Sequence, residues 1–250
     1  MKNLIEVDNL VFGYDNIPVL KDINLNIYQN DYILIIGPNG GGKTSFLKLI
    51  LGIVKPWSGS ISYASGVCGR IGYVPQYSNF NKNFPINVQD MVLTGFIDSK
   101  NFLKKYTKDQ MEKAEQMLDK FNLYLKRKEN INNLSGGQIQ KLLIARAIVA
   151  DPVALLLDEP TASIDITSQS NIREFLHKLN KKMAIIMVTH DLTPFAQHYK
   201  RIVCINRTLF CHGRGELNAH ELDKVYGCPV DLIGHGIPHT ILQEHGKRPN

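Results

Sequence analysis

The sequence predicts an α/β fold with a mostly parallel core sheet, an antiparallel β layer and a helical lobe. Three observations predict it. Apolar runs at 31–36, 153–157 and 184–189 have the length and continuity of strands buried on both faces. Helical patterns at 45–51 and from 135 to about Ala150 punctuate them. Residues 3–28 and 59–74 read as short strands with polar alternation, which suits an antiparallel layer. Residues 88–128 are helix-rich, and Met111, Ala114, Met117, Leu118 and Phe121 recur at helical spacing, as the core face of a small lobe would. A further apolar strand, 70–75, leads into Gln76.

The run from Gly37 through Pro38, Asn39, Gly40, Gly41 and Gly42 to Lys43 and Thr44 fits G-x-x-x-x-G-K-[ST] between a strand and a helix. Glycines let backbone N–H groups close around phosphates, and the helix N-terminus adds partial positive charge. Lys43 would reach the β- and γ-phosphates, Thr44 would hold Mg²⁺, and Ser45 would line the α-phosphate.

The apolar strand before Asp158 and Glu159 ends in two carboxylates. Asp158 is placed to bind Mg²⁺ directly or through water, and Glu159 to act as general base on the attacking water. His190 closes another apolar strand, on the sheet edge where ligands of open α/β folds bind, and would contact the γ-phosphate and orient Glu159. Gln76 would sense Mg²⁺ and the attacking water, and Tyr14 offers a ring face to adenine.

With Leu134, Ser135, Gly136, Gly137 and Gln138 added, the chain resembles the nucleotide-binding subunit of ATP-binding-cassette (ABC) transporters from Leu4 to about Glu216. The aromatic loop at Tyr14, the cradle, the Q-loop at Gln76, the signature at 134–138, the Asp158–Glu159 pair, the D-loop at Ala162–Asp165 and the switch at His190 come in the family's order. The resemblance implies a P-loop ATPase core, ATP and Mg²⁺ as cofactors, and a homodimer. In that dimer Ser135, Gly136, Gly137 and Gln138 of one subunit face nucleotide in the other's cradle. It implies a domain over 1–228 with the helical lobe inserted at about 85–150, and a tail over 229–250. It implies permease partners in the membrane, contacted after Gln76, and an extracytoplasmic metal-binding protein in the same system. Ile139, where the family favours Arg or Glu, and Ser-Ile-Asp in the D-loop depart from the pattern without removing a catalytic group.

Composition narrows the alternatives. No run approaches the roughly 18 apolar residues of a membrane span, and the first residues read as a strand rather than a signal peptide. The expected location is therefore the cytoplasmic face of the membrane, held there by permease subunits. The net charge of +6 is spread over short clusters with no aromatic-interleaved basic stretch, so no nucleic-acid partner is expected. A soluble ABC ATPase acting on nucleic-acid or protein complexes is the alternative. It is opposed by the short stretch between Thr44 and Leu134, which has no room for a long coiled-coil arm. Cys68, Cys204, Cys211 and Cys228 match no zinc or redox spacing and read as buried thiols.

The triple glycine before Lys43, the segment Phe84–Gly95 and the segments 203–207 and 211–213 are similar to the transition-metal import branch, zinc first, manganese or iron next. Asp231, His235, His239 and His245, with Cys228 nearby, are metal-ligand types at helical spacing. Gly234, Gly236 and Pro238 interrupt any helix there, so an ordered tail without metal is the alternative to a regulatory zinc site.

Overall fold

A computed structural model describes residues 2–76, 84–97, 105–160, 166–190, 195, 198–213, 230–234 and 238–242. The chain divides into two compact units, one of residues 1–6, 26–31 and 62–188, the other of 7–25, 32–61 and 189–250.

Strands β1 (Asn3–Tyr14), β2 (Ile17–Tyr28) and β4 (Ser58–Tyr63) form a three-stranded sheet in the order β2-β1-β4. Asp15 and Asn16, at φ 46° and 64°, make the two-residue hairpin that joins β1 to β2 antiparallel. Along β1 the buried positions are Leu4, Ile5 and Val7, then Leu10, Phe12 and Gly13. Asn9, at φ 44°, absorbs the change of parity as a bulge residue.

In the first unit, β5 (Ile71–Val74), β6 (Ala154–Asp158) and β7 (Ala184–Val188) pair in parallel, with Val74 opposite Leu157 and Asp158 opposite Val188. Every residue of β6 and β7 is buried, as strands covered on both faces require. The antiparallel expectation for 59–74 therefore holds for β4 and fails for β5, which runs parallel to β6. The turns between 64 and 70 separate the two strands. A parallel place for β5 is favoured by Gly72, where a Cβ would lie 2.3 Å from the Ala147 carbonyl oxygen, so that the helix carrying Ala147 lies directly on the strand.

That helix is α4 (Gly136–Ile148), which buries Ile139, Leu142, Leu143, Ile144, Ala145 and Ile148. With α2 (Val88–Leu93) and α3 (Lys108–Lys120) it makes up the helical part of residues 85–150. Thr107 and Gln110 cap α3 reciprocally. Ala114 and Leu118 are its buried stripe, and Phe121 is buried just past its end. Met111, expected on that core face, is instead 45% exposed, and Met117 is only part-buried. The apolar stripe is narrower than its spacing suggested because α3 lies at the surface.

Helix α5 (Ile166–Asn180) ends in a buried polar lock. The Asn180 Nδ2 donates to the carbonyls of Asn30 (3.1 Å), Asp31 (2.7 Å) and Met183 (3.2 Å). In the second unit, β3 (Tyr32–Ile36) is buried throughout and pairs in parallel with β8 (Arg201–Asn206), and β9 (Thr208–Gly213) folds back antiparallel on β8. Helix α1 (Lys43–Ile50) follows β3. Cys204 is buried in β8, but Cys68, in a turn, and Cys211, on β9, are exposed, against the expectation of buried thiols. Cys228 lies outside the described residues.

The tail forms a hairpin, β10 (Val230–Gly234) with β11 (Pro238–Leu242), that pairs Asp231 with Ile241 and Ile233 with His239. The helical spacing read there is therefore strand spacing, as Gly234 and Pro238 at the strand ends favour. His235, His245 and Cys228 fall outside the described residues.

Asn180→Ala strips three buried carbonyls of a shared donor and is expected to cost about 1–3 kcal/mol. Asn180→Asp should cost more, since it faces a carboxylate toward carbonyl oxygens. Thermal melting of the purified variants checks both the loss and its order.

Candidate functional site

Strand β3 ends at Ile36 and the chain enters the glycine loop. The loop's glycines are fixed by close approach. A Cβ on Gly37 (φ 150°) would stand 2.0 Å from the Ile205 carbonyl oxygen, and one on Gly41 would stand 2.8 Å from the same atom. Gly42, at φ 101°, is the N-cap of α1 and, being glycine, makes no side-chain cap bond. Backbone bonds from Gly41 N to Pro38 O (3.1 Å) and from Arg207 N to Gly41 O (3.2 Å) brace the loop. Asn39 and Gly40 are exposed at its tip.

Lys43, only 7% exposed, curls back over this loop. Its Nζ donates to the carbonyls of Gly37 (2.8 Å) and Pro38 (2.9 Å). Thr44 and Ser45 follow in the first turn of α1, part-buried. The Tyr14 hydroxyl lies 3.4 Å from Ser45 Oγ, and the ring of Tyr14 meets that of Phe12 edge-on at 4.9 Å. Tyr14 remains 45% exposed, so a ring face is open beside α1. Thr189 N donates to Ile35 O at 3.1 Å, which puts His190, exposed, next to the residues that lead into the loop. A concave glycine backbone, a helix N-terminus and a buried lysine are donors of the kind a polyphosphate takes.

In the first unit the register of β5 on β6 carries Gln76 past Val74 to the level of Glu159. The Gln76 Nε2 donates to Glu159 Oε2 at 3.0 Å. Asp158, 2% exposed, closes β6. Glu159 is part-buried and held at φ 49°, with its N–H on the Val188 carbonyl at 3.1 Å. A non-glycine residue in this region is strained, and here the strain sits on an acid turned away from its own strand. The structure thus brings together Gln76 with Glu159, and Lys43 with Gly37 and Pro38. Asp158 and Thr44 carry oxygens of the kind Mg²⁺ takes.

The signature opens α4. Ser135 is the N-cap, and its Oγ accepts from Gln138 N (3.4 Å) while Gln138 Oε1 accepts from Ser135 N (2.9 Å). Gly136 and Gly137 form the first turn, and Ser135 is exposed in front of them. The D-loop residues 162–165 lie outside the described residues, as do 77–83 after Gln76.

Sequence reasoning missed Tyr73 and Arg146. Burial first, then the Asp158 carboxylate, push the Tyr73 phenol up to about 12, opposed by the Arg146 guanidinium. Burial lowers the pKa of Arg146 from its ordinary value, with Tyr73 opposing. Only the mixed polar-apolar character of 70–75 hinted at Tyr73, and Arg146 was hidden in a helix read for its apolar face.

Residues 20–162 match the family profile described as ABC transporter. A probable metal transport system ATP-binding protein of Thermotoga maritima is 34% identical over 247 residues, covering 98% of each chain. The zinc import ATP-binding protein ZnuC of Haemophilus influenzae is 38% identical over 220 residues, covering 87% of this chain and 77% of its own. Among solved structures, an inward-facing conformation of a putative metal-chelate type ABC transporter superposes with a TM-score of 0.82 at 28% identity, covering 96% of this chain and 97% of that one. Glycine cradle, signature helix and matched sequence agree: the chain belongs to the ABC transporter family and is an ATP-hydrolysing, nucleotide-binding ATPase of that family.

Proposed function

We propose that this chain powers the import of a transition-metal ion, zinc first and manganese or iron next, as the ATPase subunit of a transporter whose pore belongs to partner membrane subunits. The hydrogen bond from Gln76 to Glu159 carries the catalytic part of the reading, because it fixes the carboxyl group by a neutral donor at the end of β6. The printed names of the Thermotoga and Haemophilus relatives support the metal and the transport role. Among the described residues no helix is long and apolar enough to cross a membrane, which fits a subunit that reaches the bilayer through partners. An extracytoplasmic metal-binding protein would complete the system.

The residues then divide the work. Tyr14 presents its ring to adenine. Loop 37–42 and the first turn of α1 wrap the phosphates, and Lys43 exchanges its two loop carbonyls for β- and γ-phosphate oxygens. Thr44, Asp158 and Gln76 would hold Mg²⁺, which would neutralise phosphate charge. Glu159, fixed by Gln76, removes a proton from water. His190 contacts the γ-phosphate and orients Glu159. In a two-fold dimer, Ser135, Gly136, Gly137 and Gln138 from a second copy of this chain close over the same phosphate with their helix N-terminus.

Glu159→Gln should keep ATP binding, lower turnover by at least about 100-fold and accumulate an ATP-held dimer. Lys43→Ala should lose nucleotide binding instead. Nucleotide titration, phosphate release and gel filtration separate the two, and wild-type turnover by Glu159→Gln removes Glu159 as the base. Ser135→Arg and Lys43→Ala should each be inactive alone, yet mixing them should restore turnover, because the mixed dimer keeps one intact cradle facing one intact signature. No recovery in phosphate release would place both halves in one chain. In cells deleted for this chain, uptake of radiolabelled zinc should fall to background while manganese and iron uptake change less. An unchanged zinc rate with lost manganese or iron uptake would reassign the cargo.

A further inference from the structure

Arg146 lies on α4, the helix whose other end carries Ser135, Gly136 and Gly137, and none of the roles above uses it. It is part-buried and makes no ion pair among the described residues. A guanidinium taken out of water without a carboxylate is costly, so its position calls for a reason. Its Nη2 donates to the backbone carbonyl of Tyr73 in β5 at 3.1 Å.

The contact is embedded in a rigid seam. A Cβ on Gly95 would lie 2.1 Å from the Arg146 carbonyl oxygen, and one on Gly72 would lie 2.3 Å from that of Ala147. Backbone therefore meets backbone on both sides of this turn of α4, and the helix cannot shift there without moving β5. Tyr73 pairs with Leu156, so its side chain shares a face with Leu156 and, one pleat further, Asp158. Burial and the Asp158 carboxylate raise the pKa of its phenol, and the Arg146 guanidinium opposes them. Beyond Tyr73 the strand ends at Val74, and the chain runs on through Pro75 to Gln76, whose amide holds Glu159. Pro75, with φ fixed by its ring, makes this last span stiff.

We infer that Arg146 is a positioning residue: by gripping the Tyr73 carbonyl it ties the signature helix to the strand that aims Gln76 at Glu159. Engagement of the helix tip with nucleotide is thereby felt at the general base. This rests on the reading of Glu159 given above, but its test does not.

The test is a double-mutant cycle on ATP turnover in the full chain, using Arg146→Met, Gln76→Ala and both together. Arg146→Met should lower kcat roughly tenfold with the KM for ATP changed by less than about twofold, since misalignment acts on the transition state and spares ground-state binding. In the Gln76→Ala background the same change should have no further effect. Arg146→Lys keeps a cation and a donor and should recover part of the rate. If Arg146→Met does not fold, the cycle is run with Arg146→Lys, for which a smaller but equally Gln76-dependent loss is expected. Losses that multiply in the double variant, or an unchanged kcat in folded protein, overturn the inference. Turnover by Glu159→Gln would instead overturn the assignment of the base, and the cycle between Arg146 and Gln76 would still be read on its own terms.

Discussion

Strands buried on both faces leave polar groups nowhere to go but their ends. Strands β3, β6 and β7 are apolar and covered along their whole length. The chemistry is therefore concentrated in the residues just after them: Gly37 and Lys43 after β3, Asp158 and Glu159 at the end of β6, and Thr189 and His190 after β7. Each of these ends is marked by an abrupt change of backbone or an added hydrogen bond. Gly37 closes on Ile205, Glu159 enters the left-handed region, and Thr189 bonds to Ile35. The strands supply rigidity, and their ends supply direction.

The same reasoning explains what could be read from the amino acids. The cradle was legible because close backbone approach admits only glycine at Gly37 and Gly41, so the geometry leaves its mark on composition. Buried parallel strands were legible as unbroken apolar runs. Surface features were not. Met111 sits at helical spacing with Ala114 and Leu118, yet spacing does not record how wide a stripe the neighbouring elements cover. Strand β5 alternates like an edge strand of an antiparallel layer, and only pairing with β6 decides its company. The exposure of Cys68 and Cys211 depends on a turn and an outer strand that composition does not encode. The tail histidines illustrate the limit of periodicity, since Asp231 and His239 prove to lie on two strands of a hairpin.

Ser135 shows how one residue can serve local structure and an external ligand. Its hydroxyl and the Gln138 amide cap one another, which steadies the first turn of α4. That leaves the N–H groups of Gly136 and Gly137, without side chains in front of them, as the accessible donors of the turn. A signature of small residues flanked by a self-satisfied cap thus suits the phosphate-docking role proposed for it. Further along, the same helix lies close against β5 at Gly72 and against the turn after α2 at Gly95.

The left-handed backbone at Glu159 has an evolutionary consequence. Glycine or asparagine would sit there at ease, so the simplest route to a hardier chain at this position discards the carboxylate. On the role proposed for Glu159, selection for heat resistance alone, with ATP turnover unmonitored, would drift toward well-folded but inert variants at position 159. Robustness and work are set against each other at a single φ angle.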